Sequence, residues 1–266
     1  MDKAKKEKVV ILCGGKGTRI REETEFRPKP MVEIGHKPLL WHIMKIYASY
    51  GFNDFVLCLG YKGEMIKEYF LNYEIMNSDF TIELGSNGNN IQIHDSHFKD
   101  KWKVTLADTG SSSMTGARLK MIEPYIETDN FMKTYGDGVA DMDLEKLLEF
   151  HASHKKIASI TVVRPPSRFG ELVTQGNTVT EFSEKPQISE GYINGGFFVL
   201  KREVFDYLSA DEACIFEREP LERLAQADEL RVFFHNEYWH CMDTLRDLDI
   251  LEKEWNRQNP SWKVWE

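Results

Sequence analysis

The sequence lacks long hydrophobic runs, an excess of basic charge and paired cysteines. No apolar stretch in its 266 residues approaches the roughly 20 residues that a helix needs to span a bilayer. The net charge of −9 argues against general nucleic-acid binding, which usually needs a basic face. The four cysteines, Cys13, Cys58, Cys214 and Cys241, form no CxxC pair. A zinc site is therefore not expected, and Cys13 and Cys58 are predicted to be small core residues.

Internal repeats, low-complexity tracts and the pattern of a secretory signal are also missing. Residues 1–8 are rich in charge and lead directly into an apolar segment. A hydrophobic content of 41% and a charged content of 29% are typical of a globular protein with a full core. We therefore expect a reduced, cytoplasmic protein that binds neither nucleic acid nor membrane.

A glycine-rich loop follows the first apolar segment. Residues 9–13 predict a buried strand, after which Gly14, Gly15 and Gly17 let the backbone turn sharply and expose its N–H groups. Cations cluster in the same region: Lys16, Arg19, Arg21, Arg27 and Lys29. A polyphosphate needs this combination, although an ordinary βα turn with a solvated basic rim would have the same composition.

Two common nucleotide-binding signatures do not fit this loop. No Gly-Lys-Ser/Thr closes it, so it is not a Walker A sequence. Ile20 occupies the third glycine position after Gly15 and Gly17, so the dinucleotide fingerprint fails as well. No Ser/His/Asp hydrolase elbow is found elsewhere.

The segment Arg27-Pro28-Lys29-Pro30 is predicted to be rigid and extended, because residues before proline avoid the helical region. Such stiffness would hold Lys29 at a fixed reach from the glycine loop. The alternative is a surface lysine in a proline turn.

Strands and helices alternate along the first part of the chain. Residues 39–51 have helical spacing, 55–59 form an apolar run, and 61–70 return to helical spacing. Short connections between such elements indicate parallel βαβ units. Alternating apolar residues in 80–95, on either side of an Asn-Gly turn, predict an inserted hairpin.

The second part of the chain is more antiparallel. Residues 157–163 and 193–200 predict strands, and Gln175-Gly176-Asn177 predicts a hairpin turn between Val173 and Val179. Helical spacing predicts helices near 204–208 and 221–227 and a last helix over 245–255. The predicted fold class is therefore α/β: a Rossmann-like, mostly parallel mixed sheet flanked by helices, with an inserted β-hairpin and a partly antiparallel section.

Two aspartates follow predicted strands. Asp137 lies between Gly136 and Gly138, which leave room for a metal and its phosphate, and Asp243 follows the predicted strand 238–242. The carboxyl ends of parallel strands are where α/β proteins bind ligands. Asp243 would alternatively cap the last helix.

The segment Asp141-Met142-Asp143 has the spelling of the DxD motif of glycosyltransferases. It stands at the start of a helical pattern, however, so N-capping is the favoured interpretation.

Polar loops follow other predicted strands. The hydroxyl-rich loop 108–116 would hydrogen-bond a base or ribose, or equally would cap the helix after it. Lys185 precedes Pro186 at a strand end, and the paired glycines in 194–196 indicate close approach of a ligand or of another backbone.

Together these motifs resemble the signature of the sugar-1-phosphate nucleotidyltransferases. The resemblance is carried by Leu-Cys-Gly-Gly-Lys-Gly-Thr-Arg at 12–19, Lys-Pro-Met at 29–31, Tyr-Gly-Asp-Gly at 135–138, Glu-Lys-Pro at 184–186 and Asn-Gly-Gly at 194–196. These motifs fall in the family's order and spacing, and the match covers essentially the whole chain. Cys13 stands where the family commonly has alanine, and since both residues are small we expect little effect.

Within this family the chain is most similar to the glucose-1-phosphate cytidylyltransferases. The narrower resemblance rests on residues 109–116, 136–141 and 242–247. The loop 85–101 matches no family motif, and its role stays open.

The resemblance implies Mg²⁺-dependent, direct in-line transfer from CTP to glucose 1-phosphate, giving CDP-glucose and pyrophosphate. The implied nucleotide-binding residues are Leu12, Cys13, Gly14, Gly15, Lys16, Gly17, Thr18, Arg19, Lys29, Ser112, Thr115, Gly116, Arg118 and Gly136. The implied sugar-phosphate-binding residues are Gly170, Glu184, Lys185 and Asn194. The implied catalytic residues are Arg19, Lys29, Asp137 and Lys185, and the implied Mg²⁺ ligands are Asp137 and Asp243.

The resemblance also implies a single domain over 1–266, with a nucleotide-binding part at about 1–156 and a sugar-binding part at 157–266. We expect a homo-oligomer, and the tryptophan-rich C-terminal tail is predicted to dock on the body or on another subunit. Alternative functions are the same chemistry with UTP or dTTP, a GT-A-type glycosyltransferase, and a non-catalytic nucleotide-binding regulatory subunit. Arg118 would alternatively pair with an acidic neighbour, and Lys185 would be a surface lysine.

Overall fold

The computed structural model describes residues 7–85, 90–94, 100–165, 171–175, 178–183 and 191–265, and for 171–174 and 181–183 it describes the backbone alone. The strands are β1 (Val9–Leu12), β2 (Glu33–Ile34), β3 (Lys37–Pro38), β4 (Asp54–Leu59), β5 (Phe80–Glu83), β6 (Asn90–Ile93), β7 (Lys103–Asp108), β8 (Asn130–Tyr135), β9 (Gly138–Ala140), β10 (Ala158–Val163), β11 (Glu171–Gln175), β12 (Thr178–Ser183), β13 (Ile193–Lys201), β14 (Leu230–His235) and β15 (Trp239–Cys241).

The helices are α1 (Arg21–Thr24), α2 (Leu39–Ser49), α3 (Gly63–Leu71), α4 (Tyr73–Met76), α5 (Thr115–Met121), α6 (Leu144–His154), α7 (Glu219–Gln226) and α8 (Leu245–Trp255). Short 3₁₀ turns cover Thr18–Ile20, Lys29–Met31, Glu123–Tyr125 and Arg202–Tyr207. Among these segments, no helix combines the length and the apolar composition needed to cross a membrane.

Seven strands form the central sheet, in the order β14-β10-β13-β8-β1-β4-β7. The strands β8, β1, β4 and β7 are parallel, as are β10 and β14, whereas β13 is antiparallel to both of its neighbours. The predicted α/β class with a mostly parallel mixed sheet is therefore confirmed. The sheet takes strands from both halves of the chain.

Two apolar layers cover the sheet, one on each face. Alternate residues of β1 enter different layers, because side chains along a strand point to opposite faces: Val9 and Ile11 join α2, α6 and α8, while Val10 and Leu12 join α5 and α7. This arrangement explains why β1 is a continuous apolar run in the sequence.

Two hairpins lie outside the central sheet. The pairs β5–β6 and β11–β12 are antiparallel, which confirms both predicted hairpins, although their turns at 86–89 and 176–177 lie outside the described residues.

The structure corrects two local predictions. Pro28 is extended, but Lys29–Met31 forms a 3₁₀ turn rather than continuing the extended segment. The predicted helix near 204–208 is also a 3₁₀ turn.

The C-terminal tail packs against its own chain. Trp262 is fully buried, and Trp265 lies edge-on to Trp41 with ring centroids 5.7 Å apart. The tail was predicted to dock on the body or on another subunit, and the structure shows it docked on the body.

Candidate active site

A cavity of about 580 Å³ opens at the carboxyl ends of β1 and β8. Leu12 pairs in register with Tyr135, so the glycine-rich loop after β1 and Asp137 after β8 meet at the same sheet edge. The cavity is lined by residues 12–19, 29–30, 111–115, 118 and 135–137. It therefore brings together the loop, the lysine after Pro28, the hydroxyl-rich segment and one strand-end aspartate.

The glycine-rich loop is shaped by one left-handed residue. Gly17 has φ +61°, and a Cβ there would stand 2.6 Å from the Thr24 side chain. The Thr24 hydroxyl donates to the carbonyl of Gly17 over 3.0 Å. A residue without a side chain is required at this position because both the backbone conformation and the space exclude a Cβ.

Lys29 lies between the two predicted metal ligands. Its Nζ is 2.7 Å from Oδ2 of Asp137 and 2.7 Å from Oδ1 of Asp243. The residue is only 9% exposed, which excludes the surface-lysine alternative. Burial alone would lower the pKa of Lys29, but the two carboxylates outweigh it and raise that pKa above its usual value. Arg19 completes the group, with Nη1 2.6 Å from Oδ2 of Asp243.

A short antiparallel ribbon explains why Asp137 and Asp243 meet. Strand β9 pairs with β15, with Gly138 opposite Cys241. The N–H of Met242 also donates to the carbonyl of Asp137 over 2.8 Å. The ribbon thus aligns two strand ends that are far apart in the sequence.

The same ribbon gathers a group of potential metal ligands. Ligand atoms of Asp137, Cys241 and Asp243 all lie within 4.8 Å of one another. Two carboxylates suit a hard divalent cation that also contacts phosphate oxygens. The residues present therefore fit a Mg²⁺ site.

Arg118 ties three loops together from beneath the cavity. Its Nη1 lies 2.9 Å from the carbonyl of Leu59, 2.8 Å from Oγ1 of Thr109 and 2.7 Å from the carbonyl of Gly110, and its Nη2 lies 3.0 Å from the carbonyl of Gly14. Burial lowers the pKa of this guanidinium. The predicted alternative, pairing with an acidic residue, is replaced by bonds to carbonyl and hydroxyl oxygens that fix the ends of β1, β4 and β7.

Gly14→Ala is expected to destabilise the protein, because a Cβ at Gly14 would stand 2.1 Å from Nη1 of Arg118. Displacing the buried guanidinium leaves its carbonyl partners unpaired, so urea denaturation is expected to give a free energy of unfolding lower by about 1–3 kcal/mol. Gly15→Ala is the matched control, since nothing lies within 4 Å of a Cβ there. Equal stability of the two variants would refute this role of Arg118.

The hydroxyl-rich segment divides into cavity-lining and packed residues. Ser112 and Thr115 line the cavity. Gly116 does not: its N–H donates to the carbonyl of Cys214 over 2.9 Å, and a Cβ there would stand 2.6 Å from Sγ of Cys214. The structure therefore shows Gly116 in a packing position, and its contact with the nucleotide stays a prediction. Helix α5 has no side-chain cap, so the capping alternative for this segment is wrong.

The residues predicted to bind the sugar phosphate are described only in part. Asn194 lies beside the cavity, with Nδ2 3.2 Å from the hydroxyl of Tyr135. Gly170, Glu184 and Lys185 lie outside the described residues, and their roles stay predictions.

The structure decides between the alternatives for three aspartates. The side chain of Asp143 accepts from the N–H of Lys146, so it caps α6 as predicted. Oδ1 of Asp141 lies 3.1 Å from Nε2 of His235, and Asp141 is not part of the group of potential metal ligands formed by Asp137, Cys241 and Asp243. Helix α8 is capped by Thr244 in a capping box with Asp247, so Asp243 is not its cap.

A sequence model described as nucleotidyl transferase matches residues 8–253. The chain belongs to the nucleotidyl transferase family. It is 50% identical over 260 residues to the glucose-1-phosphate cytidylyltransferase of Salmonella typhi, covering 97% of this chain and 100% of the relative. It is 31% identical over 250 residues to the D-glycero-alpha-D-manno-heptose 1-phosphate guanylyltransferase of Aneurinibacillus thermoaerophilus, covering 92% of this chain and 96% of the relative.

Solved structures support the fold of this nucleotidyl transferase. The crystal structure of HddC from Yersinia pseudotuberculosis superposes with a TM-score of 0.66 at 23% identity, covering 94% of this chain and 100% of that chain. At this identity the likeness concerns the fold alone.

Four residues beside the nucleotidyl transferase cavity belong to none of the predicted sites: Lys133, Tyr135, Glu217 and Cys241. Tyr135 lines the cavity, and Cys241 joins the carboxylate pair. Tyr135 stands directly before the Gly136-Asp137-Gly138 motif, which was a signal that could have found it. Glu217 follows no predicted strand and belongs to no motif, so the sequence offered no signal for it.

Proposed function

We propose that this nucleotidyl transferase converts CTP and glucose 1-phosphate to CDP-glucose and pyrophosphate. The structural observation that carries the proposal is the convergence of the glycine-rich loop with Lys29, Asp137 and Asp243 at one cavity. The choice of CTP and glucose 1-phosphate is supported by the Salmonella typhi relative, whose name states that activity.

The proposed reaction needs no protein nucleophile. An oxygen of the sugar phosphate forms a bond to the α-phosphorus of CTP, while the bond from that phosphorus to the bridging oxygen of the β-phosphate breaks. Pyrophosphate leaves with the electron pair. Because the attacking phosphate already carries negative charge, catalysis consists mainly of positioning and charge stabilisation.

The chain's own residues are assigned to these tasks. The N–H groups of Gly14, Gly15 and Gly17 face the triphosphate, together with Thr18 and Arg19. Lys29 stabilises charge around the α-phosphate, since its ammonium group lies in the cavity beside Asp137 and Asp243. Leu12, Cys13, Lys16, Ser112, Thr115, Arg118 and Gly136 complete the nucleotide side, and Gly170, Glu184, Lys185 and Asn194 are assigned to the sugar phosphate.

Asp137 and Asp243 would hold Mg²⁺, with Lys29 bonded to one oxygen of each carboxylate and Arg19 bonded to the second oxygen of Asp243. When bound there, Mg²⁺ supplies neutralisation of the phosphate charge. We also propose a homo-oligomer. This proposal rests on the resemblance alone, since the described tail packs on its own chain and gives it no support.

A pyrophosphate-release assay that crosses CTP, UTP, dTTP and ATP with glucose 1-phosphate tests the substrates. CTP is expected to support turnover at a rate at least tenfold above that of the other nucleotides. Activity with UTP or dTTP but not with CTP would overturn the assignment of the base. Release of a nucleoside diphosphate instead of pyrophosphate would favour a glycosyltransferase, and nucleotide binding without release would favour a regulatory subunit.

A further inference from the structure

A buried lysine lies beneath the floor of the cavity. Lys133, in the middle of β8, is 0% exposed. Its Nζ lies 3.2 Å from the ring centroid of Tyr135, 4.3 Å from that of Phe198 and 5.0 Å from that of Phe216. Within the described residues this Nζ makes no hydrogen bond. A lysine is costly to bury without a partner, so this position requires an explanation.

The nearest opposite charge is the carboxylate of Glu217, whose Oε1 lies 3.8 Å from Nζ of Lys133. Burial lowers the pKa of Lys133 to about 7, while Glu217 opposes that shift. Burial alone would raise the pKa of Glu217, but Lys133 and the hydrogen bonds from Thr115 and Tyr135 outweigh it and hold that pKa below its usual value. Lys133 thus helps to keep Glu217 ionised.

The two oxygens of Glu217 serve two different cavity-lining residues. Oε2 accepts a hydrogen bond from Oγ1 of Thr115 over 2.5 Å. Oε1 accepts one from the hydroxyl of Tyr135. The Thr115 oxygen also accepts from the N–H of Phe216 over 2.9 Å, so its hydroxyl is held from two directions.

The contacts continue to the sugar side. Nδ2 of Asn194 donates to the hydroxyl of Tyr135 over 3.2 Å, and Oδ1 of Asn194 accepts from the N–H of Gly196 over 2.8 Å. An unbroken series of hydrogen bonds therefore joins Thr115, on the nucleotide side, through Glu217 and Tyr135 to Asn194, on the sugar side.

We propose that Glu217, paired with Lys133, is a positioning residue that fixes the nucleotide-binding and sugar-binding halves of the site at the same time. The proposal rests on the assignment of Thr115 and Asn194 to the two substrates under the proposed function. Glu217 itself does not line the cavity, so it acts through Thr115 and Tyr135.

Glu217→Gln tests this role, because the amide nitrogen cannot accept a hydrogen bond and the charge facing Lys133 is lost. The KM values for both CTP and glucose 1-phosphate are expected to rise at least fivefold, while kcat stays within threefold of wild type. Glu219→Gln is the matched control: the Glu219 side chain is 79% exposed and lies 3.8 Å from Arg223 on its own helix, so both KM values are expected to stay unchanged.

Lys133→Met and the double variant Lys133→Met/Glu217→Gln complete a cycle. Lys133→Met leaves Glu217 without its cation and is expected to raise the same two KM values. The double variant removes both charges. Its kcat/KM, expressed as a fraction of the wild-type value, is therefore expected to be at least fivefold higher than the product of the corresponding fractions for the two single variants. If the variants melt at the same temperature as wild type, the changes in KM result from positioning and not from loss of folded protein.

The outcomes distinguish this inference from the proposed function. Active wild-type protein with both KM values unchanged in Glu217→Gln would overturn the inference alone, as would a rise in only one KM or independent effects in the double variant. A wild-type protein that releases no pyrophosphate with any nucleotide would overturn the proposed function and this inference with it.

Discussion

Replacing Asp137 with asparagine is expected to lower the rate of Mg²⁺-dependent pyrophosphate release by about 10²–10³-fold, the usual cost of removing one group that stabilises transition-state charge. Asn keeps the volume of the side chain but not its negative charge. The backbone bond from Met242 to the carbonyl of Asp137 does not involve the side chain, so the β9–β15 ribbon is expected to persist. A coupled assay of pyrophosphate, run over a Mg²⁺ series beside a thermal melt, measures both effects.

Asp143→Asn is the control for Asp137→Asn. Asp143 caps α6, and asparagine caps helices as well as aspartate does, so activity and stability are expected to stay near those of wild type. This variant also tests the DxD interpretation of residues 141–143. Near-normal turnover in Asp137→Asn, or loss of turnover in Asp143→Asn with the fold intact, would contradict the assigned metal site.

Lys29→Met is expected to lower turnover by a similar factor, about 10²–10³-fold, because the cation beside the reacting phosphate is lost. It is also expected to change the response to Mg²⁺. In the structure, Nζ of Lys29 forms an ion pair with one oxygen of Asp137 and with one oxygen of Asp243. Without Lys29 the two carboxylates repel each other until a divalent cation binds, so Mg²⁺ is expected to raise the melting temperature more in the variant than in wild type.

The control for this melting experiment is Lys16→Met. Lys16 lines the same cavity, and within the described part of the chain it forms no ion pair with a carboxylate within 4.0 Å. Its removal is expected to leave the Mg²⁺-dependent shift in melting temperature unchanged. Identical shifts in Lys29→Met and wild type would show that Lys29 does not share oxygens with the cation.

The features that sequence patterns predicted well are local. The apolar run of β1 and the glycines after it specify a strand and a turn through their own chemistry, and the structure confirms both. Helix α8 begins and ends at the predicted residues, Leu245 and Trp255. Its N-cap and the helical spacing of its apolar residues are both local features of the sequence.

The features that patterns missed depend on distant contacts. Asp243 was placed at a strand end, but its distance from Lys29 follows from the pairing of β9 with β15, which no local pattern specifies. Lys29 itself was expected in an extended segment, yet it enters a 3₁₀ turn that directs its amine towards both carboxylates.

Buried polar residues were the hardest to predict. A lysine within a strand, such as Lys133, usually indicates an exposed position, and an acid outside any motif, such as Glu217, usually indicates a solvated one. The two side chains face each other at 3.8 Å although they are far apart in the sequence, so no local pattern predicts the pair. Arg118 was predicted to bind the nucleotide, but its bonds to the carbonyls of Gly14, Leu59 and Gly110 depend on three strand ends lying side by side, which no local pattern specifies.

The most direct test of the central claim is the release of pyrophosphate by the wild-type protein with Mg²⁺ and CTP, with and without glucose 1-phosphate. Direct transfer within one cavity predicts that pyrophosphate appears only when both substrates are present, in a one-to-one ratio with CDP-glucose identified by mass spectrometry. Pyrophosphate formed from CTP alone at the same rate, or formed without CDP-glucose, would contradict the account.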